Sequence, residues 1–257
     1  MQIVIPMSGA GSRFIAAGYT DPKPLIKVHG KPIIEWVLKL FPGETDITFI
    51  CRQDHLDTTA MRDILTQLAP QGKILGIQPH KKGPVYAVSQ AVAGLNQDEP
   101  VLISYCDYYM QWDYPAFKRE VLARHCAGAI PCYTGFHPNL IPQKNVYASC
   151  KVDTDSHLLE IREKHSFEAD KTKSLHSPGM YYFQSAALVG HYFNQMMASA
   201  DWALNGEYYV SLVYNLMVQD QLSIWVPANV PKFCQWGTPE DLQDYLFWVN
   251  TVKGFVR

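Results

Sequence analysis

The chain has 257 residues, 47% of them hydrophobic and 18% charged, with 22 Lys plus Arg against 24 Asp plus Glu for a net charge of −2. That much apolar material is enough for a buried core and excludes a disordered chain. The near balance of charge excludes a broad electrostatic grip on nucleic acid or on an anionic membrane.

The apolar run at residues 2–7 predicts a buried strand, and residues 32–41 a helix with Pro32 at its first turn. A second strand follows at 46–51. Residues 55–68 predict one helix, because Met61, Ile64, Leu65 and Leu68 recur at helical spacing. A third strand at 73–78, a helix at 85–95 with Val85, Val88, Val92 and Leu95 on one face, and a fourth strand at 100–105 complete the first half. Such alternation predicts βαβ units and a mostly parallel sheet, whose ligands gather at the carboxyl ends of the strands.

From about Gly135 the rhythm changes. Strands are expected at 146–152, 158–162 and 180–183 without helices between them, and helices return at 185–200, 207–219 and 239–249. The segment 164–177, rich in charge, Ser, His and Thr, is expected to be a mobile loop with His165 and His176 at the surface. The six cysteines form no C-x-x-C pair and read as reduced thiols, with no metal site or disulfide framework. No signal peptide or stretch of about 18 apolar residues is visible, so the expectation is a soluble, cytoplasmic protein without a membrane partner.

The sharpest local signal is Ser8-Gly9-Ala10-Gly11-Ser12-Arg13, directly after the first strand. Two glycines there let the backbone turn tightly and bring its N–H groups close to an anion. Phe14 stands where a dinucleotide fingerprint needs its third glycine, and no G-K-[ST] follows, so neither a Rossmann fingerprint nor a P-loop is present. Arg13 and, ten residues on, Lys23 in Pro22-Lys23-Pro24-Leu25 are two cations suited to a polyphosphate.

Gly9-Ala10-Gly11-Ser12-Arg13, Asp21-Pro22-Lys23-Pro24-Leu25 and Gly30-Lys31-Pro32-Ile33-Ile34 together resemble the sugar-phosphate nucleotidyltransferases. These enzymes join a nucleoside triphosphate to a sugar 1-phosphate and release pyrophosphate. The resemblance continues in order through Gln78-Pro79 with Gly83-Pro84, Asp107, Glu163-Lys164, Gly179 with Tyr181, Glu207, and Gly237-Thr238-Pro239-Glu240-Asp241-Leu242. It implies an α/β fold of the nucleotidyltransferase (GT-A) type: a Rossmann-like, mostly parallel mixed sheet flanked by helices, with a smaller antiparallel acceptor-binding insertion. It implies one domain over 1–257, with a nucleotide-binding half at 1–134, an acceptor-binding part at 135–234 and a closing helix at 235–257.

The resemblance also implies residue roles. Ser8, Gly9, Ala10, Gly11, Ser12, Arg13, Gln78 and Gly83 would bind the nucleotide, with Arg13 bracing the triphosphate and Gln78 facing the base. Arg13, Lys23 and Asp107 would be catalytic, Lys23 at the α-phosphate and Asp107 as the Mg²⁺ ligand. Tyr105, Glu163, Lys164, Gly179 and Glu207 would bind the phosphorylated small-molecule acceptor. Gln78 can hydrogen-bond uracil, thymine, guanine or cytosine, so the base stays open. So does the oligomeric state.

Two departures stand out. The family has Gly before its metal aspartate, whereas this chain has Ser104-Tyr105-Cys106-Asp107, and Gln235 stands where a second metal acid is expected. Three readings follow: an NDP-sugar synthase for surface polysaccharide, a cytidylyltransferase for a non-sugar phosphate such as phosphocholine, and a non-catalytic nucleotide-binding regulator. Trp112, Trp202, Trp236, Tyr105, Tyr108, Tyr109, Tyr181 and Tyr182 fall in segments expected round the acceptor cleft, where aromatic faces suit sugars or quaternary ammonium groups.

Overall fold

The computed structural model describes residues 1–141 and 147–255. Its first half runs β1 (Gln2–Met7), α1 (Ser12–Ala16), β2 (Lys27–Val28), β3 (Lys31–Pro32), α2 (Ile33–Leu38), β4 (Ile47–Arg52), α3 (Gln53–Thr58), α4 (Met61–Leu68), β5 (Lys73–Ile77) and α5 (Gly83–Ser89). Then come β6 (Val101–Ser104), β7 (Tyr108–Gln111), α6 (Tyr114–Arg124), β8 (Gly128–Ala129), β9 (Ser149–Val152), β10 (Leu158–Arg162) and β11 (Leu175–His176). The chain closes with β12 (Met180–Phe183), α7 (Ala186–Met197), α8 (Val210–Gln219), β13 (Ile224–Trp225), β14 (Lys232–Gln235) and α9 (Pro239–Phe255).

All six residues of β1 are buried because β1 lies inside a seven-stranded sheet of order β13-β8-β12-β6-β1-β4-β5. The pairs β1–β4, β1–β6, β4–β5 and β8–β13 are parallel, and β12 runs antiparallel to β6 and β8. Side chains alternate between two apolar layers. Ile3, Ile5 and Met7 join α2, α4 and α6 on one face, and Val4 joins α5, α7 and α8 on the other. Pro6, which has no N–H to donate, is tolerated because β6 pairs with β1 only over Gln2–Val4.

The chain lays β4 and β5 on one side of β1, then crosses back to place β6 on the other. That reversal opens a crevice at the carboxyl ends of β1 and β6, the position where open α/β sheets bind ligands. The mostly parallel sheet expected from the sequence is therefore present. The antiparallel insertion is the three-stranded sheet β10-β9-β11.

Several local expectations change. The single helix at 55–68 is two, broken at Thr59, which is extended (φ −130°, ψ 171°). The Thr58 and Thr59 hydroxyls donate to the Asp54 and His55 carbonyls, each at 2.7 Å, and Thr59 Oγ1 accepts the Met61 N–H at 3.2 Å. Hydroxyls that bond to nearby backbone in this way compete with the helix. The helix at 85–95 ends at Ser89, and a short 3-10 turn, Val92–Gly94, replaces its second half. Strand 180–183 belongs to the central sheet rather than to the insertion. Of the expected strand 146–152, β9 covers Ser149 onward, and Val146 lies outside the described residues.

The segment 164–177 is tied down rather than loose. The Ser166 and Ser174 hydroxyls bond at 2.9 Å, Ser149 Oγ donates to the His165 carbonyl at 2.8 Å, and Ser174, His176 and Ser177 are buried. His176 is 0% exposed, so it is a core residue: it packs against Tyr133 and pairs with the Lys171 carbonyl through Nε2 at 2.8 Å. Helix α6 was not among the expected elements, although Asp113 caps it by accepting the Ala116 N–H at 2.8 Å and Pro115 sits in its first turn. All six cysteines are free, and five of them are buried. Among the described residues no helix is long and apolar enough to cross a membrane.

Phe49 in β4 is 0% exposed at the centre of the larger apolar layer. Phe49→Ala leaves a cavity there and lowers unfolding stability by about 3–5 kcal/mol, measured by urea denaturation.

Candidate active site

The loop leaving β1 turns through Gly11, whose φ of +65° caps the start of α1. The demand for glycine here is the left-handed backbone, since a Cβ at Gly11 would meet Lys23 only at ordinary contact distance, 3.8 Å from its Cβ and 3.9 Å from its backbone N. Glycine thus lets the loop close over the short turn Lys23–Leu25 and leaves Arg13 exposed in α1. From the end of β6 the chain delivers Tyr105, Cys106 and Asp107 beside that turn.

Lys23 Nζ donates to Asp107 Oδ2 at 2.8 Å. Burial opposes the lysine charge, but the neighbouring Asp107 more than offsets it and holds the Lys23 pKa above its ordinary value. The ammonium is therefore present throughout the neutral range. Burial pushes the Cys106 thiol up to about 12, which makes it a neutral packing group.

Two cavities meet at this pair and share Arg13, Lys23, Tyr105, Asp107, Tyr209 and Gly237. The first, about 500 Å³, is walled by Ser8, Gly9, Ala10, Gly11, Ser12 and Arg13 on one side and by His80, Lys81, Gly83 and Pro84 on the other. The second, about 450 Å³, is walled by Tyr147, Glu163, Lys164, Gly179, Tyr181, Gln235 and Asp241. Gln78 is exposed beyond β5 and is not in the lining of either cavity. Glu207 lines the first cavity, not the second with Glu163 and Lys164, and its Oε2 accepts the Tyr209 hydroxyl at 2.9 Å.

Gly83 is a second obligatory glycine. Its φ is +82°, and a Cβ would stand 2.7 Å from both the backbone N and the carbonyl O of Tyr208. That close approach allows Tyr208 N to donate to the Lys82 carbonyl at 3.0 Å, and Val85 N to donate to the Tyr208 carbonyl at 3.2 Å. The segment before α8 is thereby joined to the start of α5.

In the second cavity the Glu163 carboxylate accepts the Ser211 hydroxyl at the start of α8. Burial raises the Glu163 pKa, with Ser211 and Lys164 acting the other way. Lys164 is exposed and holds a left-handed φ of +54°. Tyr105 donates its backbone N–H to the Gly179 carbonyl at 2.9 Å, and Tyr181 accepts from Ser177 at 3.1 Å. Of the aromatics expected round an acceptor cleft, Tyr105 and Tyr181 line the second cavity. Tyr108, Tyr182 and Trp236 are fully buried, and Trp112 donates to the Leu40 carbonyl at 3.0 Å outside it. Tyr147, Tyr209 and His80 line the cavities without having been singled out in the sequence, although His80 lies between Gln78-Pro79 and Gly83-Pro84; long-range folding brings each one in.

The antiparallel pair β7–β14 places Gln235 opposite Tyr108, and Trp236 N donates to the Asp107 carbonyl at 2.9 Å. A Cβ on Gly237 would lie 2.4 Å from Gln235 Nε2 and 3.2 Å from Asp107 Oδ2, so the amide and the carboxylate flank one point. Asp241 faces the same cavity. Its Oδ2 accepts the Thr238 hydroxyl at 2.9 Å, and burial, then the nearby Asp107 charge, raise its pKa. The Asp107 and Asp241 carboxylates, with no thiolate beside them in this cavity, offer oxygen donors of the kind that fit a hard cation such as Mg²⁺, whereas Gln235 turns its amide nitrogen, not an oxygen, toward the point it shares with Asp107.

Because the folded-state pKa of Glu163 is raised, the native protein holds that proton more tightly than the unfolded chain does. Its contribution to stability is intact below 4.5 and declines as pH rises from there through the folded value. Glu163→Gln therefore gains stability relative to the wild type as pH increases above 4.5, followed by urea denaturation at stepped pH.

A family profile described as the MobA-like NTP transferase domain matches residues 3–168, which span the glycine loop, Lys23, Asp107, Glu163 and Lys164. No curated protein sequence matches the chain. Among solved structures, a nucleoside-diphosphate-sugar pyrophosphorylase from Vibrio cholerae is similar at 22% identity and a TM-score of 0.76, over 95% of this chain and 99% of that one. A candidate glucose-1-phosphate thymidylyltransferase from Bacillus anthracis, crystallised with sucrose, is similar at 17% identity and a TM-score of 0.73, over 95% of this chain and 93% of that one. At these identities the two structures speak for the fold, and the profile speaks for the family. The chain belongs to the MobA-like NTP transferase family, as an α/β enzyme of the nucleotidyltransferase type.

Proposed function

We propose that this enzyme is a Mg²⁺-dependent nucleotidyltransferase that joins a nucleoside triphosphate to a sugar 1-phosphate, releases pyrophosphate and makes an NDP-sugar for surface polysaccharide. The observation that carries the reading is the Lys23–Asp107 pair, 2.8 Å apart, at the junction of two cavities. A transfer between two phosphates needs such a junction. Residues 1–134 act as the nucleotide half, 135–234 as the acceptor part and 235–257 as the closing helix of a single domain.

An oxygen of the acceptor phosphate attacks the α-phosphorus, and the bond from that phosphorus to the bridging oxygen of the β-phosphate breaks. Both partners are already ionised, so the task is positioning and charge neutralisation rather than proton transfer. The Ser8–Ser12 loop and Arg13 hold the outgoing β- and γ-phosphates, the guanidinium by its planar fork. Lys23 meets the charge that develops at the α-phosphate. Lys164 holds the acceptor phosphate in line, while Glu163, Gly179 and Tyr105 shape the seat for the rest of the acceptor. Asp107 would hold the Mg²⁺, which supplies positive charge to the phosphate oxygens when bound.

A second reading is favoured by one feature of the acceptor cavity. Tyr105, Tyr147, Tyr181 and Tyr209 line it, and tyrosine faces suit a quaternary ammonium group. A cytidylyltransferase for phosphocholine would use the same machinery with a different acceptor.

Pyrophosphate release from ATP, CTP, GTP, UTP and dTTP, each with glucose 1-phosphate or phosphocholine and with or without Mg²⁺, separates the readings. Turnover with a sugar phosphate that requires Mg²⁺ is expected. Nucleotide binding without turnover on either acceptor favours a regulator that has lost its second acid at Gln235. Lys23→Ala and Asp107→Ala are each expected to lower kcat by about 10²–10³-fold while the fold survives. Full activity in both variants overturns the assignment.

A further inference from the structure

The two walls of the first cavity come from distant parts of the chain, and a histidine joins them. His80 Nε2 lies 3.1 Å from Ser8 Oγ, 72 residues away in sequence. On the other side of the ring, Nδ1 accepts the Lys82 backbone N–H at 3.2 Å. Because Nδ1 accepts, the neutral ring carries its proton on Nε2 and donates it to Ser8. Tyr86 packs edge-on against the imidazole with centroids 4.7 Å apart, which fixes the plane of the ring. Ser8 is only 5% exposed and is the first residue beyond β1. Its position therefore sets where the loop N–H groups that follow are aimed.

We propose that His80 is a positioning residue for the nucleotide: by donating to Ser8 it locks the loop after β5 against the glycine loop and sets the geometry of the triphosphate seat. This rests on the nucleotide-binding reading of that cavity. The surroundings agree with a neutral ring. Burial, then the nearby Lys82 and Arg52 cations, oppose its protonation, and Glu207 across the cavity acts the other way, leaving its pKa below the ordinary histidine value. The other end of the same segment is held by Gly83 against Tyr208. His80 thus ties the β5 end of this segment to Ser8, while Gly83 ties the α5 end to Tyr208. The sequence pointed to Gln78 in this stretch, but Gln78 faces solvent while His80 lines the cavity.

The two bonds of the ring can be separated by substitution. In His80→Gln the longer amide reaches the place of Nε2 and can donate to Ser8. In His80→Asn the shorter amide takes the place of Nδ1 and can accept only from Lys82. Calorimetric Kd values are to be measured with Mg²⁺ and whichever of ATP, CTP, GTP, UTP and dTTP binds the wild type. His80→Ala and Ser8→Ala are each expected to weaken binding about 3–10-fold, the range of one neutral hydrogen bond. The double variant is expected to be no weaker than either single one, because both remove the same bond. His80→Gln restores affinity and His80→Asn does not. Equal rescue by Asn, additive losses in the double variant, or an unchanged Kd in His80→Ala each overturns the proposal. Should His80→Ala fail to fold, the Gln and Asn variants still decide it. Wild type that binds none of the five nucleotides overturns the proposed function and this inference together, whereas wild-type binding with indifferent variants removes only this one.

Discussion

Parallel pairing of β1 with β6 is the constraint on which the site depends. Register brings Val4 beside Ile103, so β6 ends at Ser104 alongside β1, which runs about two residues further to Met7. The glycine loop and the Tyr105–Asp107 segment leave the sheet as neighbours although they are about 90 residues apart in sequence. With β4 on the other flank of β1, the crossover chain cannot continue outward in one direction and must reverse. The crevice is a consequence of strand order, and everything that binds there is a loop hung on it.

Charge in the crevice is arranged around one close pair. Lys23 and Asp107 satisfy each other at 2.8 Å, so neither stands as an isolated charge at the floor where the two cavities meet. Arg13 and Lys164 line the second cavity with them as exposed cations. The acids are graded: Asp107 is paired with a cation, whereas burial lifts the carboxyls of Glu163 and Asp241. Gln235, a neutral amide, lines the same cavity and adds no charge to this group. Asp241 approaches the same cavity from the first turn of α9, held there by the Thr238 hydroxyl.

Rigidity is distributed to match. The glycine loop is framed by Lys23 beneath Gly11 and by His80 beside Ser8. The second cavity is framed by Ser211 on Glu163 and by the Tyr105–Gly179 backbone bond. The segment 164–177 belongs to this frame through its buried serines and His176, although its composition is that of a solvated loop. Short polar side chains hydrogen-bonded to backbone and to one another hold it, and composition alone does not register such bonds.

What the sequence determined by itself is the local chemistry and the class of fold. The apolar runs at residues 2–7, 46–51, 73–78 and 100–105 became the parallel strands: β1, β4 and β6 lie inside the sheet, covered on both faces and so largely apolar, while β5 is its half-buried edge. The glycine loop and Lys23 stood out in the sequence as a tight turn followed by a cation, and Asp107 only through its place in the resemblance. Tertiary structure decided the rest. Nothing near Tyr108 announces that β7 pairs with β14, yet that pairing brings Gln235 to Asp107. Nothing near His80 announces Ser8, and nothing near Gly83 announces Tyr208. Hydrophobic periodicity reports which face of an element is buried, but not which distant backbone it will be buried against. In this protein those distant approaches set the shape of both cavities.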